Sequence, residues 1–301
     1  MGQPVQHPAA QPGDGELVRW QGNVGAFDVT VCSDGTYLLD GGAMFGVVPK
    51  TLWQKRAAAD EQNHVLLGLN SVVVRTGSAV VLIETGVGNK QSEKMQAIHQ
   101  NQARLMASLE AAGVRADEVT HVVNTHLHFD HCGWNTTLHP DGSVTPTFAN
   151  AQYFAARGEV EHGRLQLERD RVSYVAPNYE PLISSGQMTL LEAREAEIVQ
   201  GIWVEPMPGH TASMLGVHLE SEGKHACYPG DLIPTAHHVD ATWVMGYDLD
   251  PLMCIEQRKR FLGRAIDRDW LVLFTHDHHT PAARLGWNEK GKPVVSSVKG
   301  I

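Results

Sequence analysis

His126-Leu127-His128-Phe129-Asp130-His131 places three histidines and a carboxylate within six positions, directly behind the apolar run Val122-Val123-Asn124-Thr125. Imidazole and carboxylate are ligands for zinc and similar divalent ions. With the preceding run as a strand, the chain leaves the sheet at His126 as a loop. A loop can turn His126 and His128 to one side and Asp130 and His131 to the other, which feeds two adjacent metals rather than one. The plainer reading is a set of polar loop residues with no shared purpose. Four ligand-type side chains in so short a stretch weigh against it.

Four ligands do not complete two metal centres, so more must come from distant segments. Pro208-Gly209-His210-Thr211 follows the strand-like Ile202–Glu205. Tyr228-Pro229-Gly230-Asp231 follows the short apolar run Ala226-Cys227, and Leu271–Thr275 has a buried-strand pattern ending at His276-Asp277-His278-His279. Each lies just beyond a predicted strand, where open sheets place their ligand sites. A single histidine after a strand is more often a loop residue; the set in this order is far more specific.

That order resembles the metallo-β-lactamase superfamily from about Phe27 to about Leu285. The family's His-x-His-x-Asp-His motif is matched by His126, His128, Asp130 and His131, its Pro-Gly-His-Thr histidine by His210, its bridging aspartate by Asp231 and its last histidine by His276. The resemblance implies an α/β fold, the four-layer αβ/βα sandwich, with two mixed sheets packed face to face and helices outside. It implies that His126, His128 and His210 hold one metal, that Asp130, His131 and His276 hold the other, and that Asp231 bridges them. Two divalent ions per chain are then expected, zinc first, with manganese, cobalt or iron as alternatives. The superfamily hosts many chemistries on one scaffold, so the motif set says little about substrate.

A narrower resemblance concerns the quorum-quenching N-acyl-homoserine lactone lactonases. Asp40–Lys50 with Trp53, Asp231–His238, and Trp243–Pro251 are similar to segments of that branch. What it implies is a dinuclear hydrolase that opens lactone rings by attack of a metal-bridging hydroxide, with Asp130 shuttling a proton to the leaving alkoxide. Met44, Phe45, Trp53, Trp243 and Tyr247 are candidates to line an acyl-chain pocket, with the Asp40–Lys50 side facing Trp243 and Tyr247. For each taken alone, core packing is the simpler account. His237 and His238 are candidates for substrate or supporting contacts, or else exposed loop residues. One departure stands out: some such lactonases carry a tyrosine three residues after the bridging aspartate, and here that residue is Pro234. The alternative enzyme is an organophosphate triester hydrolase or broad arylesterase on the same site. A binding module with a degenerate site is disfavoured because all seven ligand positions are filled. A flavin-bearing oxygen reductase is disfavoured because the chain stops soon after His276, and a β-lactamase because no export signal is seen.

Composition limits the remaining choices. The 301 residues are 42% hydrophobic and 19% charged, ordinary values for a globular chain. The net charge of −10 disfavours nucleic acid, which is bound through Lys and Arg contacts to phosphate. A small-molecule lactone or ester is the expected partner, with no membrane and no nucleic acid; a homodimer is compatible with this reading. Cys32, Cys132, Cys227 and Cys254 are scattered without a Cys-x-x-Cys pair, so a disulfide framework is not expected, and Cys132 reads as a packing thiol. Residues 1–25 lack a basic start and apolar core, which excludes a secretory signal and points to a cytoplasmic location. They read as a flexible arm rich in Gly, Pro and Gln, followed by one domain over 26–301.

Within that domain, Phe27–Cys32 and Thr36–Leu39 are strand candidates about a hairpin turn at Ser33-Asp34-Gly35. Val65–Arg75 and Ala79–Glu84 read as further strands. Leu105, Met106, Leu109 and Ala112 give Asn101–Ala112 helical spacing. Val119–Asn124 is a strand, and Arg157–Val175 a charged helix that could lie as a lid beside the site. Strands return at Ile202–Glu205, Leu215–Leu219 and His225–Tyr228, with a helix over Pro251–Ile266 and a last strand at Leu271–Phe274. Two similar halves with sheets face to face between helices bury both apolar strand sets.

Overall fold

The computed structural model describes residues 15–298. In the first half, β1 (Val18–Val24), β2 (Phe27–Asp40), β3 (His64–Arg75), β4 (Val80–Ile83) and β5 (His121–Val123) run in order across one sheet. A small ribbon of β6 (Thr136–Leu138) and β7 (Val144–Pro146) follows, and the sheet is completed by β8 (Gln152–Ala156) and β9 (Met188–Leu191). The second half builds a sheet from β10 (Ala196–Val199), β11 (Ile202–Pro206), β12 (Leu215–Ser221), β13 (Lys224–Tyr228), β14 (Leu271–Leu273), β15 (Ala282–Trp287) and β16 (Pro293–Ser297), also in chain order. Both sheets are mixed: β4, β5, β8 and β9 pair in parallel, as do β13 and β14.

The strands alternate their apolar side chains between two buried faces, which explains their near-continuous hydrophobic character. Val29, Val31, Val72, Val74, Val81 and Ile83 meet Val204, Val217, Leu219, Leu271 and Leu273 in the core between the sheets. The outer face of the first sheet is covered by Leu105, Leu109, Val160 and Leu182 from its helices. The helix Pro251–Asp267 covers the second with Phe261, Leu262 and Ala265. Helix, sheet, sheet, helix is the four-layer α/β sandwich expected above.

Several local readings change. The chain does not reverse at Ser33-Asp34-Gly35: β2 is one strand whose pairing to β3 resumes after a bulge between Ser33 and Thr36. Asp34 is fully buried there and accepts hydrogen bonds from Val87 N, Leu105 N and Trp134 Nε1 at 2.7–3.0 Å, which hold the extra residues inward rather than at a turn tip. The segment read as an arm is strand β1 over Val18–Val24, antiparallel to β2, and residues 1–14 lie outside those described. The helix Leu105–Ala111 starts four residues later than its apolar spacing indicated. The helix in 157–175 spans Arg157–Leu165 and stops where Gln166 adopts a left-handed φ of 50°. All four cysteines are buried and free. No helix among the described residues is long and apolar enough to cross a membrane.

The residues expected to line an acyl pocket are a core cluster instead. Met44, Phe45, Trp53 and Trp243 are buried together, with Phe45 stacked on Trp53 at 5.1 Å and edge-on to Trp243 at 5.8 Å between ring centroids. Phe45 and Trp243 therefore touch rather than face each other across a ligand space. His238 is buried too: it stacks on Phe45 at 5.3 Å and bonds Thr235 Oγ1 and Met44 O. His237 and Tyr247 alone of this set keep partial exposure. Phe45→Ala should accordingly cost about 3–5 kcal/mol of stability, as large-to-small core changes do, and should lower activity toward all substrates alike; a loss confined to long-chain substrates at unchanged melting temperature would restore the pocket role.

Buried histidines also set an acid limit on the fold. Burial pushes the His238 imidazole down to about 3 and that of His225 to about 4. Unfolding releases each ring to take up a proton near its ordinary 6.5, so the stability they support is full above that value and lost as pH falls toward 4. Chemical denaturation of chelated protein at pH 7.5 and 5 should show part of that loss, and His238→Asn should flatten the dependence.

Candidate metal centre

Strand β5 ends at Val123, and the chain then crosses the C-terminal edge of the first sheet through Asn124-Thr125-His126-Leu127-His128 into a single helical turn, Phe129–Cys132. Asn124 braces this crossing, donating to His131 O at 3.0 Å while accepting from Asn135 Nδ2 at 2.7 Å. His210 follows β11 behind Gly209, whose φ of +139° and closeness to Cys254 (a Cβ would lie 2.6 Å from its Sγ) exclude a side chain there. Asp231 follows β13 behind Gly230, with φ of +54°. His276 follows β14, and its N–H donates to Pro234 O at 2.8 Å.

These segments converge between the two halves. His126, His128 and His210 each bring a nitrogen within 4.8 Å of the others; Asp130, His131 and His276 do the same with a carboxylate oxygen and two nitrogens. His131 Nε2 lies 3.3 Å from His276 Nε2, although 145 positions separate them in the chain. Asp231 stands between the two groups. Its Oδ1 is 3.2 Å from His276 Nε2 and 3.6 Å from His131 Nε2, and its Oδ2 is 3.5 Å from His210 Nε2. All seven residues singled out in the sequence are thus brought together, and six of them are buried, with Asp130 nearly so.

The donor chemistry fits divalent cations. His128 Nδ1 sits 3.1 Å from His126 Nε2 and 3.2 Å from His210 Nε2, three ring nitrogens crowded on one point with too few hydrogens to bond one another. His128 Nε2, His131 Nδ1 and Asp231 Oδ1 are buried without a hydrogen-bond partner. The far sides of the rings are fixed as metal-binding histidines usually are. His276 Nδ1 donates to Gly68 O at 2.9 Å and His210 Nδ1 to Asp248 Oδ1 at 3.0 Å, leaving each Nε2 free toward the cluster. Electrostatics follow position. Burial and the neighbouring imidazoles drive His126 and His128 well below the ordinary range, so both are neutral and free to coordinate. Burial opposes charge on Asp231 as well, but His276, His131 and His210 outweigh it and hold the carboxylate ionised.

Four supporting residues carried no sequence signal. Glu84, in a left-handed φ of 62°, accepts from Thr125 N at 2.9 Å and lies 3.6 Å from His131 Nδ1. It forms a further ligand-type group with His126 and His131, yet its oxygens are already engaged by Thr125 and Asn124. Asp248 backs His210, and Glu159 backs the loops of the first group. Tyr37 is the fourth: its hydroxyl donates to Asp130 Oδ2 at 2.9 Å and lies 3.4 Å from His276 Nδ1. Position 234 is Pro, and the tyrosine that reaches the cluster comes from β2. The sequence reading placed Tyr37 only within the strand candidate Thr36–Leu39.

Comparison with known proteins gives the family. The model of the metallo-β-lactamase superfamily matches residues 65–282, and the chain belongs to that superfamily. It is, on that membership, a metal-dependent hydrolase. A probable metallo-hydrolase of Mycobacterium tuberculosis is 24% identical over 246 residues, 71% of this chain and 74% of the relative. A probable metal-dependent hydrolase from Staphylococcus aureus superposes with a TM-score of 0.82 at 27% identity, covering 92% of this chain and 99% of that one. The dizinc quorum-quenching lactonase AidC, solved with a product N-hexanoyl-L-homoserine, has the same fold, with a TM-score of 0.77 at 18% identity over 95% of this chain and 100% of that one.

Proposed function

We propose that this hydrolase is a dinuclear lactonase acting on N-acyl-homoserine lactones, with zinc as the first-choice metal. The observation that carries the dinuclear part is the Asp231 carboxylate, one oxygen turned to each of two ligand groups. His126, His128 and His210 are assigned to one ion, Asp130, His131 and His276 to the other, and Asp231 to both. When bound, such ions would lower the pKa of a water and polarise a carbonyl oxygen. Asp130 accepts the proton released as water attacks the lactone carbonyl and returns it to the ring oxygen that leaves. Tyr37, kept protonated by burial and by the charges of Asp130 and Asp231, points its O–H at that proton store and steadies it.

The lactone reading is supported by similarity to solved lactonases and by a cleft of about 180 Å³ beside Phe129. Val87, Met95, Phe129 and Val172 give it apolar walls that suit an acyl chain, and Lys90, Gln91, Ser92 and Asn178 line it as well. Each buried methylene contributes roughly 0.8 kcal/mol, so kcat/KM should rise with chain length until the cleft is full. Met95→Trp, which fills the cleft from the helix Glu93–His99, should lower turnover of decanoyl substrate about tenfold or more, the worth of two methylenes, and spare the butanoyl one. The test is a panel of butanoyl to dodecanoyl lactones against phosphotriesters and aryl esters, with metal restored to chelated enzyme. Rapid phosphotriester turnover without lactone turnover would replace this reading by the organophosphate hydrolase.

A further inference from the structure

Glu159 lies outside the two ligand groups, on the helix Arg157–Leu165, and only 1% of it is exposed. A buried carboxylate needs donors to offset its lost hydration, and Glu159 draws its own from three separate parts of the chain. Its Oε2 accepts from Leu127 N at 3.2 Å and from the Tyr174 hydroxyl at 3.0 Å; its Oε1 accepts from the Thr211 hydroxyl at 2.5 Å. Leu127 is the residue between His126 and His128. Thr211 is the residue after His210. Tyr174 sets its ring edge-on to His128, with centroids 4.9 Å apart. One side chain therefore clamps both loops that present the first ligand group and the aromatic ring that limits how His128 can turn.

The helix that carries Glu159 is seated to do this. Gly158 packs so closely on the loop after His210 that a Cβ would lie 2.0 Å from Ser213 Oγ. The segment from the end of the helix to Tyr174 is tied back by His162 to Asp170 at 2.6 Å and by Phe129 N to Ser173 O at 2.8 Å. The second ligand group is held by other means, through Glu84 near His131 and Gly68 O at His276.

We propose that Glu159 is a positioning residue for the first ligand group alone, fixing the separation of the His126–His128 loop from His210 without touching a ligand. The proposal rests on the dinuclear reading above. It predicts an effect confined to one of two metal-binding steps, which a general loss of stability would not produce. Loss of such supporting contacts lowers metal affinity about 10–100-fold.

The test is titration of chelated protein with cobalt(II), following its visible absorption and the stoichiometry by elemental analysis. Wild type should take up two ions. Glu159→Ala should keep one step unchanged and weaken the other about 10–100-fold, with altered cobalt bands. Glu159→Gln should restore most of that loss, because the amide oxygen can still accept from Leu127 N and Tyr174 while the Thr211 hydroxyl turns to accept from the amide NH2. Thr211→Val covers the case in which the alanine variant does not fold, and should weaken the same step by a smaller factor. Two unchanged steps in Glu159→Ala, or equal weakening of both, overturns the proposal. A wild type that takes up fewer than two ions instead overturns the dinuclear reading itself, and the two failures are told apart by the wild-type stoichiometry.

Discussion

Asp231→Ala is expected to hold at most one divalent ion per chain, against the two that the proposed dinuclear centre gives the wild type, and to lose about 10³-fold or more in kcat, at or above the scale of removing one stabilising group from an active site. The reason is the place of the carboxylate. His131 and His276 lie on one side of it and His210 on the other, all within 3.2–3.6 Å of its two oxygens. Removing it takes a shared ligand from each site and leaves the cationic centre short of one negative charge in a buried place, where charge is least screened. Asp231→Asn keeps an oxygen but not the charge, and should fall between the two. Elemental analysis after saturation, together with turnover of a short-chain lactone, checks this. An alanine variant with two ions per chain and turnover within tenfold of wild type would sink the bridging assignment.

Tyr37→Phe is expected to reduce kcat about 10²-fold, the lower end of what a positioned proton-handling group contributes, while leaving metal content and melting temperature near those of wild type. Phenylalanine fills the same space, so packing in the buried cluster with Leu67, Leu69 and Val87 persists. What disappears is one O–H directed at Asp130 Oδ2. Without it Asp130 is free to rotate and its proton affinity changes, so the pH–rate profile should shift as well as fall. Metal loss in this variant would mean that Tyr37 only supports ligands, and unchanged kcat with an unchanged profile would remove it from the mechanism.

The candidate metal ligands were legible in the sequence because their chemistry is local. Four of the seven fall in one short motif, and the other three each follow a run read as a strand. Strand ends at one edge of two facing sheets must meet, and so the residues there converge. The same logic reached the strands β3, β4, β11, β12, β13 and β14, whose β-branched, aromatic and other apolar residues give them strand character. It did not reach β1, whose Gln21, Gly22 and Asn23 carry little strand character until the edge of β2 pairs with them. It misread Ser33-Asp34-Gly35, where turn-type residues form a bulge because Asp34 finds its donors inside the protein and not in its own turn.

The surroundings of the ligands were decided by tertiary structure. Met44, Phe45, Trp53 and Trp243 are large and apolar, which is equally true of a pocket wall and of a core. Only packing separates them, and it stacks Phe45 on Trp53 and leaves no space between Phe45 and Trp243. Tyr37, Glu159 and Asp248 act through oxygens placed by distant elements, 93, 32 and 38 residues from Asp130, Leu127 and His210. Such contacts leave no spacing pattern, because each depends on where two separately folded segments come to rest. Periodicity reports which face of an element is apolar; which polar group waits opposite is settled only when the two halves close on each other.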